Sequence, residues 1–187
     1  MITTILIFLG QIGLVALGVT LGLRIPDIDH NLPFTKHRSI FTHGLLFPAC
    51  LFYLTLFGQQ TLHYVLSNNI AQMLVSFDII FYFTLGFCIS YAIHLAFDMS
   101  PKKWLGIALI HTPLGRLPAP LSWLWMELGV LASIYVLIAL LPAGMPSMQI
   151  GIGVALLIFA RYQIKEANIV IPFLTLAISS YGIILLG

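Results

Sequence analysis

Six long apolar runs, separated by short polar stretches, account for most of this chain. They lie near 2–23, 42–58, 73–98, 121–142, 147–162 and 168–186. A helix needs roughly 20 mainly apolar residues to cross a hydrocarbon core about 30 Å thick, because each residue rises about 1.5 Å. All six runs meet or approach that length. The pattern therefore predicts an all-α fold, a polytopic transmembrane helical bundle of about six spans. The second run has the least defined edges: Leu45 to Phe57 is intensely apolar, but Thr42 and His43 precede it and Gln59, Gln60 and His63 extend beyond it. The fifth is short and carries Gly151 and Gly153, with Pro142 and Pro146 bracketing the turn before it.

Composition strengthens this picture. Hydrophobic residues make up 60% of the 187 and charged residues only 7%, and mean hydropathy is +1.05. A water-facing exterior needs more polar surface than that. One integral membrane domain over 1–187 is expected, with the spans at 121–187 as scaffold. The N-terminus lacks the positive region of a secretory signal, so Met1 to Leu23 reads as a retained first span. Cys50 and Cys88 sit inside apolar runs and read as small buried hydrophobes. The prolines at 101, 113, 118 and 120 mark a structured connector, and Trp104, Leu105 and Ile107 place it on the bilayer surface.

Charge then orients the bundle. Arg24, Lys36 and Arg38 lie in the first loop, Lys102, Lys103 and Arg116 in the third, and Arg161 and Lys165 in the fifth. The other loops and both termini carry no Lys or Arg. Basic residues favour the cytoplasmic side of short loops. The expected location is the inner (cytoplasmic) membrane, multi-pass, with both termini outside. An anion-binding site would produce the same bias in loops one and three, but loop five has no such second cause. A net charge of +2 without a basic block gives no footprint for nucleic acid.

The polar chemistry is concentrated. Ile25 to Phe47 holds two aspartates, three histidines, a lysine and an arginine in a chain with six acidic residues and six histidines in all. The topology brings Asp27, Asp29, His30, His37, Arg38 and His43 to the cytoplasmic end, with His43 starting the second span. The third span delivers His94 and Asp98 to the same layer. His94 and Asp98 are four apart and share one helix face. Pro26 limits the first helix, and an extended chain after it would project Asp27 and Asp29 to one side. Imidazole with carboxylate is a ligand set for zinc, manganese or iron; magnesium prefers oxygen ligands. A metal site from 25–47 and 91–103 follows, with zinc first among divalent ions and one or two ions held.

Other polar residues have plainer readings. His63 reads as an interfacial hydrogen-bonder, His111 equally as that or as a site residue, and Arg161 and Lys165 as snorkelling charges. Asp78 reads as interfacial on the outer side, and Glu127 as a partner for Arg116 or a neighbour of the site.

The pattern PDIDH (Asp27, Asp29, His30), then HRSIFTHG (His37, Arg38, Thr42, His43), then HLAFD (His94, Asp98) resembles the YdjM-like (LexA-regulated) family of predicted membrane-bound metal-dependent hydrolases. SPKKW after Asp98 resembles that family's continuation. The spacing between Arg38 and Thr42 departs slightly, and Gly44 stands where the family has serine. The resemblance covers roughly the first half of the chain and implies hydrolase activity. On that reading Asp27, His30, His43, His94 and Asp98 are the metal ligands, with Asp29 or His37 completing the shell. Asp29, His37 and Arg38 are the catalytic group, with Asp29 or His37 as general base. Arg38, with Lys36 or Lys102, would hold an anionic group. The expected partner is a membrane lipid or lipid-linked ester. Phosphohistidine lipid phosphatases, site-2 proteases and serine intramembrane proteases need P-S-G-H, H-E-x-x-H and G-x-S elements, and none fits here. The rival classes are a divalent-metal transporter and a metal-binding structural subunit.

Overall fold

The computed structural model describes residues 2–31, 37–65, 79–99, 109–140 and 170–186. Five α-helices dominate these residues: α1 (Ile2–Arg24), α2 (Leu46–Val65), α3 (Ile79–Asp98), α4 (Ala119–Leu140) and α5 (Val170–Leu186). A 3-10 helix, Pro26–Asn31, follows α1, and a two-residue hairpin, β1 (His111–Thr112) and β2 (Gly115–Arg116), precedes α4. In the hairpin His111 pairs with Arg116 and Thr112 with Gly115, and Gly115 turns the chain at φ +138°, a value that suits glycine.

α3 is the central post and touches each of the other four helices. Its core side chains Cys88, Tyr91, Leu95 and Ala96 are fully buried. α1 lies closest to it because small residues let the backbones approach. A side chain on Gly22 would meet Ser90 and the Phe87 carbonyl, and one on Gly86 would meet the Val15 backbone. Hydroxyl contacts link other helices, Thr55 to Thr84 at 3.1 Å between α2 and α3, and Ser179 to Glu127 at 2.6 Å between α5 and α4.

The outward faces are apolar. Leu6 and Phe8 on α1 are 59% exposed, and Ile178 and Tyr181 on α5 are 69% and 65% exposed. Among the described residues, Ile80–Asp98 and Ala119–Leu140 are long and apolar enough to cross a membrane by length and composition. Shorter apolar stretches lie at Phe8–Arg24, Leu46–Gly58 and Val170–Ile183. Two such helices and the exposed apolar belt point to membrane association.

Five of the six sequence segments coincide closely with helices or overlap them in part. The first, fourth and last fall on α1, α4 and α5, whereas the second begins at Leu46 and not at Thr42. Hydrogen bonds to Asp29 and Tyr91 hold Thr42 to Gly44 in a bent turn outside the helix. α3 begins at Ile79, and residues 73–78 of the third segment lie outside the described residues, as does the whole fifth segment at 147–162.

Candidate metal centre

Pro26 has no N–H to continue the α1 ladder, and the chain tightens there into a 3-10 turn. This overturns the extended reading of Asp27 and Asp29. At about three residues per turn, positions two apart point in different directions. Asp27 faces the mouth with its side chain 51% exposed, whereas Asp29 is fully buried.

Asp29 organises the loop that follows. Its Oδ2 accepts hydrogen bonds from Ser39 N at 2.7 Å and Thr42 Oγ1 at 2.8 Å. Thr42 Oγ1, having given its proton to Asp29, accepts from His43 Nδ1 at 3.0 Å. The other ring nitrogen, Nε2, faces Asp98 Oδ2 at 3.1 Å. His43 is fully buried, held by Thr42 on one side of its ring and by Asp98 on the other. The arrangement is that of a histidine ligand oriented by groups behind it.

Three further side chains fix the loop. The Tyr91 hydroxyl lies 2.7 Å from the Thr42 carbonyl and 2.8 Å from the Gly44 carbonyl, sharing its proton between them, and accepts from Gly44 N at 3.1 Å. Trp125 Nε1 donates to the Ile40 carbonyl at 3.0 Å. The same indole lies where a side chain on residue 44 would sit, so glycine matches the space. His111 reaches across from the hairpin: its N–H donates to the Arg38 carbonyl at 2.8 Å, and its carbonyl accepts from Ile40 N at 2.8 Å. Its ring nitrogens are both engaged, Nδ1 with the His37 carbonyl at 2.7 Å and Nε2 with Arg116 Nε at 2.9 Å. Arginine is only a donor, so Nε2 is the acceptor and Nδ1 carries the proton. Of its two sequence readings, His111 takes neither in full: it is a loop clamp beside the site.

Four donor atoms converge inside this frame. Asp27 Oδ1 lies 3.8 Å from His94 Nε2, and Asp98 Oδ2 lies 3.7 Å from His94 Nε2 and 3.1 Å from His43 Nε2. Ligand atoms of Asp27, His43 and His94 all fall within 4.8 Å of one another. Metal–ligand bonds of about 2.1 Å put two ligands of one ion roughly 3.0–3.4 Å apart at octahedral or tetrahedral angles. Separations of 3.1–3.8 Å are near that range, and most exceed ordinary hydrogen-bond lengths. These residues fit a divalent ion.

Arg38 is the backbone exception, with φ +59° in the left-handed region. That conformation costs roughly 1–2 kcal/mol for a residue with a Cβ. The His111 bond to its carbonyl and the pairing of its guanidinium with Asp98 offset the cost. Arg38 Nε and Nη2 each lie 3.4 Å from an Asp98 oxygen. Asp98 thus faces the arginine and the two histidines at once.

The remaining sequence candidates distribute as follows. His37 Nδ1 lies 3.6 Å from Asp29 Oδ1 and 4.0 Å from Asp27 Oδ1. His30 lies on the 3-10 helix, with its side chain outside the described residues, as are the side chain of His63 and residues Lys36, Asp78, Lys102 and Lys103. Glu127 pairs with Ser179 and not with Arg116, which is occupied by His111. Sequence reasoning missed Tyr91 and Trp125. Tyr91 had a signal: it lies three residues before His94 and seven before Asp98, on the same helix face. Trp125 had none, since its partner is 85 residues away.

No family model, curated protein or solved structure matches the chain.

Proposed function

We propose that this chain is a membrane-embedded, metal-dependent hydrolase with its site at the cytoplasmic face of a six-span bundle in the inner membrane, acting on a lipid-linked (phospho)ester. The reading is carried by one observation: ligand atoms of Asp27 and of the buried His43 and His94 lie within 4.8 Å of one another, with Asp98 against both histidines.

Asp27, His43, His94 and Asp98 would hold the ion, zinc by preference and manganese or iron by the same ligand chemistry. When bound, it supplies Lewis acidity and lowers the pKa of a coordinated water from about 15.7 towards 7. The chain's own residues do the rest. Asp29, through Thr42, keeps the His43 ring oriented with Nε2 aimed inward. Arg38 uses two nitrogens on Asp98 and retains other N–H donors for an anionic group of the substrate. Asp27, at the exposed mouth, is where substrate and water enter. The apolar faces of α1 and α5 favour a substrate that itself lives in the bilayer, and the alternation of basic loops supports the cytoplasmic orientation.

The test is metal content and lipid-ester hydrolysis of purified protein, with and without chelator, for wild type and His94→Ala. Both properties are expected to fall together, by at least about a hundredfold, since even groups behind a ligand cost 10–100-fold. Full hydrolysis by a metal-free His94→Ala protein overturns the mechanism.

A further inference from the structure

We propose that the β1–β2 hairpin is a docking element for anionic phospholipid: Leu114 at its tip enters the apolar boundary of the bilayer, and Arg116 takes a headgroup phosphate. This contact goes beyond the hydrolase reading and needs no metal.

The hairpin is built outward from the core. At its base Ile110 is fully buried, its N–H donating to Ser122 Oγ at 3.0 Å and its carbonyl accepting from Leu117 N at 2.9 Å. A two-stranded hairpin is marginal by itself, but this one is braced from the side. His111 donates its N–H to the Arg38 carbonyl, accepts from Ile40 N, and holds the His37 carbonyl through Nδ1. At the tip, Thr112 Oγ1 donates to the Gly115 carbonyl at 2.9 Å and accepts from Leu114 N at 3.2 Å. The turn so fixed presents Leu114 with its whole surface exposed, at 100%.

A lone exposed leucine is ordinary on a protein surface. This one begins an apolar stretch that runs into the belt around the bundle. Pro118 and Pro120 follow it exposed, then Leu121 and Leu124 on one face of α4. Trp123, also exposed, lies near the start of the same helix, where tryptophan marks a bilayer interface.

Charge selects the lipid. Arg116 is exposed, and its Nε donates to His111 Nε2 at 2.9 Å, which sets the plane of the guanidinium. Its Nη hydrogens are taken by no described residue. The stretch from Met99 to Met126 carries Lys102, Lys103 and Arg116 and no acid. A planar guanidinium matches two phosphate oxygens, and basic segments beside a bilayer are drawn to anionic lipids. Leu114 and Arg116, two residues apart on one braced turn, therefore suit a molecule that carries a phosphate directly above an apolar layer.

The experiment uses full-length protein reconstituted in bilayers that contain photoactivatable phosphatidylglycerol or phosphatidylcholine, with the reactive group near the top of the acyl chain. Crosslinks are mapped by mass spectrometry. Wild type should be labelled within residues 111–118, about fivefold more by phosphatidylglycerol, the factor expected for one basic residue at an anionic surface. Leu114→Ser should lower labelling by both lipids. Arg116→Gln should abolish the preference for phosphatidylglycerol, and Arg116→Lys should retain most of it, with matched thermal melts for each variant. No label in the hairpin from either lipid overturns the docking. Equal labelling of wild type by both lipids overturns the choice of anionic lipid. A preference that survives Arg116→Gln overturns the assignment of Arg116. If Arg116→Lys loses the preference as fully as Arg116→Gln, the arginine only braces His111 and its role as a lipid ligand is overturned.

Discussion

Two carboxylates lie within the helical bundle in quite different surroundings. Asp29, at the end shared by α1 and α3, is fully buried and meets a backbone N–H, a hydroxyl and two imidazoles. Glu127, in the α4–α5 contact, has one hydroxyl on Oε1, and its buried Oε2 makes no hydrogen bond. A buried acid is costly in either place. At the first, the cost is met by groups from the 37–43 loop, which fixes the geometry of that loop in return. At the second, a single Ser179 contact fixes little beyond the contact between two helices. The site therefore belongs to the end where polar groups converge, not simply where an acid is buried.

Three substitutions would break or sharpen this contrast. Asp29→Ala removes two hydrogen bonds to a charged group, each worth about 1.5–3 kcal/mol. It should cost about 3 kcal/mol or more of stability and release the 37–45 loop, measured as a lowered melting temperature in detergent and loss of metal. If the melting temperature holds, Asp29 does not organise the loop. Tyr91→Phe keeps the ring packed against Phe87 and Phe47 but loses the hydroxyl that holds Thr42 and Gly44. A loss of about 1–2 kcal/mol is expected, with metal affinity weaker by roughly 10-fold or more, as for groups that orient a ligand. Unchanged affinity by competition titration would make Tyr91 a packing residue only. Glu127→Gln keeps the shape of the α4–α5 contact. It should change stability by no more than about 0.5–1 kcal/mol and leave metal stoichiometry at the wild-type value. A loss of bound metal in that variant would join the two regions that the structure keeps apart.

Much of the frame is legible in the residues. Apolar run lengths mark α1, α4 and α5 because each run is long enough to form a helix that is apolar along its length. Pro26 marks the end of α1, and the four-residue spacing of His94 and Asp98 places both on one face of α3. The polar cluster at 25–47 is visible because charge is so scarce elsewhere. Those features are local, and local sequence carries them.

What the tertiary structure decided is how that cluster divides its labour. The 3-10 turn sends Asp27 to the mouth and Asp29 to the interior, although the two are neighbours in a symmetrical-looking motif. Arg38 adopts a left-handed backbone only because His111, more than 70 residues on, holds its carbonyl, and Asp98, 60 residues on, faces its guanidinium. His43 becomes a ligand candidate because Asp29 and Thr42 occupy one ring nitrogen, and Tyr91, 47 residues from Gly44, fixes the backbone beside it. Which residues could bind a metal was set by their side-chain chemistry. Which of them converge, and which hold the others in place, depends on hydrogen-bond partners distant in sequence, and only packing α1, α3 and α4 together brings those within reach.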